Sequence, residues 1–112
     1  MRYAIVGDIH ANLEALGAVL KDIKAQRVDK VVCLGDIVGY YTDPNPCSKL
    51  CRKSKFICIR GNHDDAAIGL CDVDDFNPTA QTAILWTAEK LKEEHKDWLR
   101  TLPEHLLVGD QF

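Results

Sequence analysis

Tyr3-Ala4-Ile5-Val6-Gly7-Asp8-Ile9-His10 decides how the chain is read. A short apolar run ends in a glycine, and a carboxylate and an imidazole follow two residues apart. The pattern returns at Val31-Val32-Cys33-Leu34-Gly35-Asp36-Ile37-Val38-Gly39-Tyr40 and at Phe56-Ile57-Cys58-Ile59-Arg60-Gly61-Asn62-His63-Asp64. Gly7, Gly35 and Gly61 lie 28 and 26 residues apart, roughly the length of one βαβ unit. Runs that are apolar throughout suit parallel strands buried on both faces. In a parallel sheet equivalent strand ends lie side by side, and ligands bind in the crevice outside them. The expectation is an α/β fold that brings Asp8, His10, Asp36, Asn62 and His63 into one pocket.

The segments between these runs agree with that rhythm. Arg2–Gly7 reads as a buried central strand. Leu13, Leu16, Val19, Leu20 and Ile23 have amphipathic spacing, which predicts a helix over Asn12–Gln26. Asp29–Gly35 holds the second strand. Gly39–Pro46 reads as a loop, and Pro46 starts a helix through about Arg52. Phe56–Ile59 is the third strand, followed by a short helical turn to Ile68 and an acidic loop over Cys71–Phe76. Asn77-Pro78 is an N-cap and first-turn proline for the next helix. A further helical piece carries Trp98, Leu99 and Leu102 and stops at Pro103. His105–Val108 reads as a strand, Gly109-Asp110 as a hairpin turn and Gln111-Phe112 as the start of a returning strand.

Composition excludes several classes. With 112 residues the chain is read as one domain. Its net charge of −3 argues against a dedicated nucleic-acid binder, which shows a basic stripe, and gives no attraction to anionic membranes. No apolar run approaches the ~18 residues of a membrane span, and no signal peptide precedes Asp8. The reading is a cytoplasmic protein with five reduced cysteines. Cys33 and Cys58 read as buried strand thiols, and Cys47 and Cys51, one helical turn apart, as a helix face packed on the sheet.

A divalent cation held by carboxylate oxygen and imidazole nitrogen polarises a phosphoryl oxygen and lowers the pKa of its water. Asp8 and His10 can point at one ion, Asp36 is the natural bridging group, and Asn62 offers a neutral carbonyl oxygen. His63 is then free to contact a phosphate or protonate a leaving group. Oxygen and nitrogen ligands together suit manganese, iron or zinc, with magnesium also compatible. No G-x-G-x-x-G or P-loop pattern follows the first strand, which disfavours a generic nucleotide-binding domain.

Asp-x-His, then Gly-Asp, then Gly-Asn-His is the signature of the calcineurin-like metallophosphoesterase superfamily, and this chain resembles it over essentially its whole length. Gly39–Pro46 further resembles the bacterial small phosphodiesterase-like branch. The resemblance implies an αββα sandwich, truncated here so that its second sheet is incomplete, with residues 1–112 as the N-terminal part of one metallophosphoesterase domain. It implies Asp8, His10 and Asp36 on a first metal, Asp36 and Asn62 on a second, His63 as the catalytic histidine and Arg60 as an aid to phosphate binding. Arg60 also reads as a strand-end charge reaching solvent, Asp64 as a support of the ligands or a helix-start acid, and Tyr40 as a loop-packing residue.

Two departures narrow the reading. The superfamily's protein phosphatases carry Asp-Arg three and four residues after the bridging aspartate; Gly39 and Tyr40 stand there, which points to small phosphoesters. The family's later Gly-His-x-His motif is missing, and the chain's other histidines, His95 and His105, read as solvent-facing and as a strand start. The expectation is a metal-dependent phosphoesterase that is weakly active or inactive at this length, with self-association through exposed edges. The alternative is a non-catalytic scaffold with the same fold.

Overall fold

The computed structural model describes residues 1–108. The elements run β1 (Tyr3–Val6), α1 (Leu13–Gln26), β2 (Lys30–Cys33), α2 (Pro44–Lys53), β3 (Ile57–Cys58), α3 (Asn62–Ala67), a 3-10 turn (Val73–Asp75), α4 (Pro78–Lys90) and α5 (Glu93–Thr101). The three strands form a parallel sheet in the order β1-β2-β3. Its register pairs Val6 with Cys33 and Cys33 with Cys58, so all three strands stop at one level and their exit loops sit side by side. Right-handed crossovers in a sheet of this order put α1 and α2 on the same face.

That face carries the main core. Leu16, Cys33, Cys47, Cys51, Cys58 and Leu99 are buried in it, with Val6, Leu13 and Trp98 packed alongside. Cys47 and Cys51 occupy the inner side of α2, as their spacing predicts. A smaller cluster, Ala66, Ala80 and Ile84, joins α3 to α4. Asn12 and Asn77 cap α1 and α4 by accepting from Ala15 N and Ala80 N. Among the described residues no helix is long and apolar enough to cross a membrane.

Several expectations are corrected. β1 is an edge strand of the described sheet and β2 the central one; Ile5 is 50% exposed. β1's apolar run reflects the sheet's second face, where Ile5, Val32, Leu34, Ile57 and Ile59 border a shallow apolar pocket with Leu106 and Val108. The strand expected over His105–Val108 is an irregular segment, of which Val108 is buried. The hairpin expected at Gly109-Asp110 and the strand begun by Gln111-Phe112 lie outside the described residues. α2 begins at Pro44, two residues early, because proline at the first helical position lacks only an N–H that would have no helical partner. β3 is shortened because Arg60 N turns away to donate to Pro103 O at 2.8 Å.

His95 is also corrected: it is 3% exposed. It lies four residues before the buried Leu99, on the face of α5 turned to α2, so helical spacing outweighs the charged neighbours from Lys92 to Asp97.

Candidate metal centre

The exit loop of β1 is zipped to that of β2. His10 N donates to Asp36 O and Ala11 N to Ile37 O, both at 2.8 Å, and Tyr41 N returns to His10 O at 3.0 Å. The loops have little freedom because they use an uncommon backbone. Asp8, His10, Ala11, Asp36 and Tyr40 all have left-handed φ, between 48° and 66°. Each costs roughly 1–2 kcal/mol outside glycine, and such strain clusters where side chains must be aimed.

Aimed they are. Ligand atoms of Asp8, His10 and Asp36 lie within 4.8 Å of one another. His10 Nδ1 is 3.1 Å from the carbonyl oxygen of Val38, which can only accept. Nδ1 therefore carries a proton, and Nε2, 3.5 Å from Asp8 Oδ1, is the nitrogen that faces the carboxylates. Sequence reading missed Val38, because a backbone carbonyl leaves no mark in residue identity. Two carboxylates and one imidazole nitrogen make a donor set suited to a hard or borderline divalent cation.

The exit loop of β3 presses against that of β2 with no room between them. A Cβ on Gly35, whose φ is +93°, would lie 2.3 Å from Gly61 N, and one on Gly61 would lie 2.2 Å from Asp36 Oδ1. His63 N donates to Asp36 Oδ1 at 3.0 Å. Asn62 Oδ1 accepts from the same N–H at 3.0 Å, so the asparagine oxygen is turned toward its own helix. Asp64 is fully buried. Burial pushes its carboxyl up to about 6, although the N–H groups of Gly61 and Val38 favour its charged form.

His63 is buried within an aromatic box. Its ring centroid is 4.7 Å from His10, 4.8 Å from Tyr40 and 5.1 Å from Phe76. Burial lowers its pKa despite the attraction of Asp36. Among the described residues its Nδ1 has no hydrogen-bond partner, and Gly39 lies against that edge: a Cβ there would be 2.6 Å from Nδ1. Tyr40 does more than pack its loop, for its ring touches both histidines.

Arg60 is heavily engaged. Its Nε donates to Asp65 Oδ1 at 2.6 Å, its Nη1 to the Leu102 carbonyl, and its Nη2 lies 3.6 Å from Glu104. These contacts fasten the end of α5 to the third loop. Asp65 and Phe76 were not singled out by the sequence; neither lies in the repeated strand-end pattern. His95 and His105 are not among the residues gathered here.

Known proteins place this arrangement in context. The family described as calcineurin-like phosphoesterase matches residues 1–111. An uncharacterized protein of Methanocaldococcus jannaschii is 47% identical over 100 residues, 89% of this chain and 41% of that protein. The crystal structure of a metallophosphoesterase from Sphaerobacter thermophilus is similar with a TM-score of 0.80 and 48% identity, over 98% of this chain and 44% of that one. A crystal structure described provisionally as a diadenosine tetraphosphatase has a TM-score of 0.72 and 26% identity, over 91% and 43% of the two chains. The chain thus spans less than half the length of each.

Proposed function

The chain belongs to the calcineurin-like phosphoesterase family, and from that premise we propose that it acts on small phosphoesters, mono- or diesters, with the help of a divalent cation. The observation that carries this reading is the convergence of Asp8, His10 and Asp36 within 4.8 Å. These three would hold the first ion. Asp36 and Asn62 would contribute to a second, as in the two-metal site that the resemblance implies. A bound divalent cation supplies Lewis acidity toward a phosphoryl oxygen and makes hydroxide available near neutral pH.

The chain's own residues supply the rest. Val38 O fixes the tautomer of His10. His63, whose neutral form burial favours, would offer an N–H to the phosphate or to the leaving oxygen. Arg60 would reach the phosphate through Nη2, whose partner Glu104 is exposed. Asp8, His10 and Asp36 would give a first ion three ligands, and a second ion would have fewer. Losing one strong electrostatic contact at a reaction centre typically costs about 10²–10³ in rate, so turnover by the 112-residue chain is feeble. The rest of the domain would bring the further histidines. Ile5 and Leu34, half exposed on the second sheet face, would favour self-association, which light scattering over a wide concentration range would detect.

An aryl phosphodiester assayed with manganese tests the proposal. Slow product release that stops with chelator and falls in His63→Ala is the expected result. Robust turnover insensitive to chelator contradicts it. No turnover alongside measurable metal binding favours the scaffold reading, in which the site outlasts the activity.

A further inference from the structure

Asp64 joins two loops beyond the point where strand pairing between β2 and β3 ends. Its Oδ2 accepts from Gly61 N at 3.0 Å, and its Oδ1 accepts from Val38 N at 3.1 Å, 26 residues away in sequence. A carboxylate three residues past Gly61 would close the first turn of α3 with one oxygen alone, which is ordinary capping. The second oxygen has no part in that cap. It crosses to the β2 exit loop at the residue whose carbonyl orients His10.

We infer that Asp64 is a positioning residue, a latch that sets the separation between the loop carrying Asp36 and the loop carrying Asn62 and His63. The latch acts at both ends of one peptide stretch: Val38 N is held by Asp64 while Val38 O is held by His10 Nδ1. Releasing the first bond frees the second. The imidazole of His10 then loses its fixed orientation, and the β2 loop keeps only the bond from His63 N to Asp36 Oδ1 and the packing of Gly35 on Gly61 as ties to the β3 loop. Asp64 is fully buried, so its loss would leave the buried Val38 N–H and the part-buried Gly61 N–H without their acceptor. Apolar packing cannot substitute for it; the role needs two acceptor oxygens on one side chain to meet two donors, Val38 N and Gly61 N, from different loops.

The inference rests on the metal reading for its consequence but not for its geometry, and the test separates the two. Asp64→Asn keeps the shape with one acceptor and sets an amide donor against the other N–H. Asp64→Leu fills the space with no acceptor. Manganese binding by calorimetry, and amide hydrogen exchange by NMR, would be compared across the native chain and both variants. The expected result is metal affinity weakened about 10–100-fold, the usual cost of removing a group that supports a ligand. Protection of the Val38 and Gly61 amides is lost in the leucine variant, while the Ile84 amide in the second core cluster stays protected. Native-like metal affinity in Asp64→Leu with protection kept at Val38 overturns the latch. If the native chain binds no manganese, the metal reading fails. The latch is then decided by exchange alone: unchanged protection at Val38 in Asp64→Leu refutes it, and loss at Val38 and Gly61 with Ile84 intact supports it.

Discussion

The two ends of the sheet use the same unusual backbone for different purposes. At the strand-exit end, Asp8, His10, Ala11, Asp36 and Tyr40 have left-handed φ; at the opposite end, Arg27 and Lys55 do. Arg27 ends α1, with its N–H returning to Lys24 O, and Lys55 N returns to Arg52 O just beyond α2. There the conformation stops helices, a role normally filled by glycine. The cations around it, Lys24, Arg27, Lys30 and Lys55, border an open cleft, and several face helix C-termini, whose partial negative charge favours them. At the exit end no helix is being stopped. The strain there turns two carboxylates and an imidazole toward one point. Charge and strain at one end have a local explanation; at the other they fit the cation that we propose for Asp8, His10 and Asp36.

The largest effects are expected at the exit end. Asp36→Ala should abolish cation binding, because Asp36 is a ligand candidate and also holds His63 N; calorimetry with manganese checks it. Gly61→Ala should come next. The added methyl would meet Asp36 at 2.2 Å, so the loops must separate, and a loss of about 2–3 kcal/mol in urea unfolding is expected, with metal binding lost as well.

A smaller effect is expected away from both ends. Burial lowers the pKa of His95, outweighing the pull of Glu94, while Arg52, Lys92 and Lys49 lower it further. The unfolded chain therefore binds more protons below the ordinary value of 6.5, and stability, complete above that pH, falls as the pH drops through the window beneath it. Asp64, raised to about 6, acts in the opposite sense between about pH 4 and 6. The measurement is thus the difference between native chain and His95→Leu: the variant should lack the acid-side loss that His95 causes.

The smallest effect sharpens the contrast. Arg27→Gly and Lys55→Gly relieve left-handed strain and should leave stability unchanged or raise it by up to about 1 kcal/mol, with cation binding intact. Asp8→Gly relieves the same strain yet should remove binding. If Arg27→Gly weakened binding as Asp8→Gly does, the two ends would not be distinct.

The sequence carried the α/β rhythm because three apolar runs and their glycines recur at a near-constant interval, and the matching strand ends follow from parallel pairing. Within the described sheet β1 lies at the edge and Ile5 is half exposed, which the sequence did not reveal because an apolar run reads alike whether or not its second face and its outer edge are covered. It misread His95 because local charge hid a face defined by Leu99. The gathering of Asp8, His10 and Asp36 was legible from side-chain identity. The hydrogen bonds of Val38, the closeness of Gly35 to Gly61 and the engagement of Arg60 were not, since backbone groups and long-range contacts leave little trace in residue spacing.

Anomalous diffraction from crystals soaked in manganese would locate the cation. A peak is expected among Asp8, His10 Nε2 and Asp36, and none in the cleft between Arg27 and Lys55. The absence of a peak at the three exit loops, with crystals of the Asp36→Ala variant giving the same map, would contradict the proposed site.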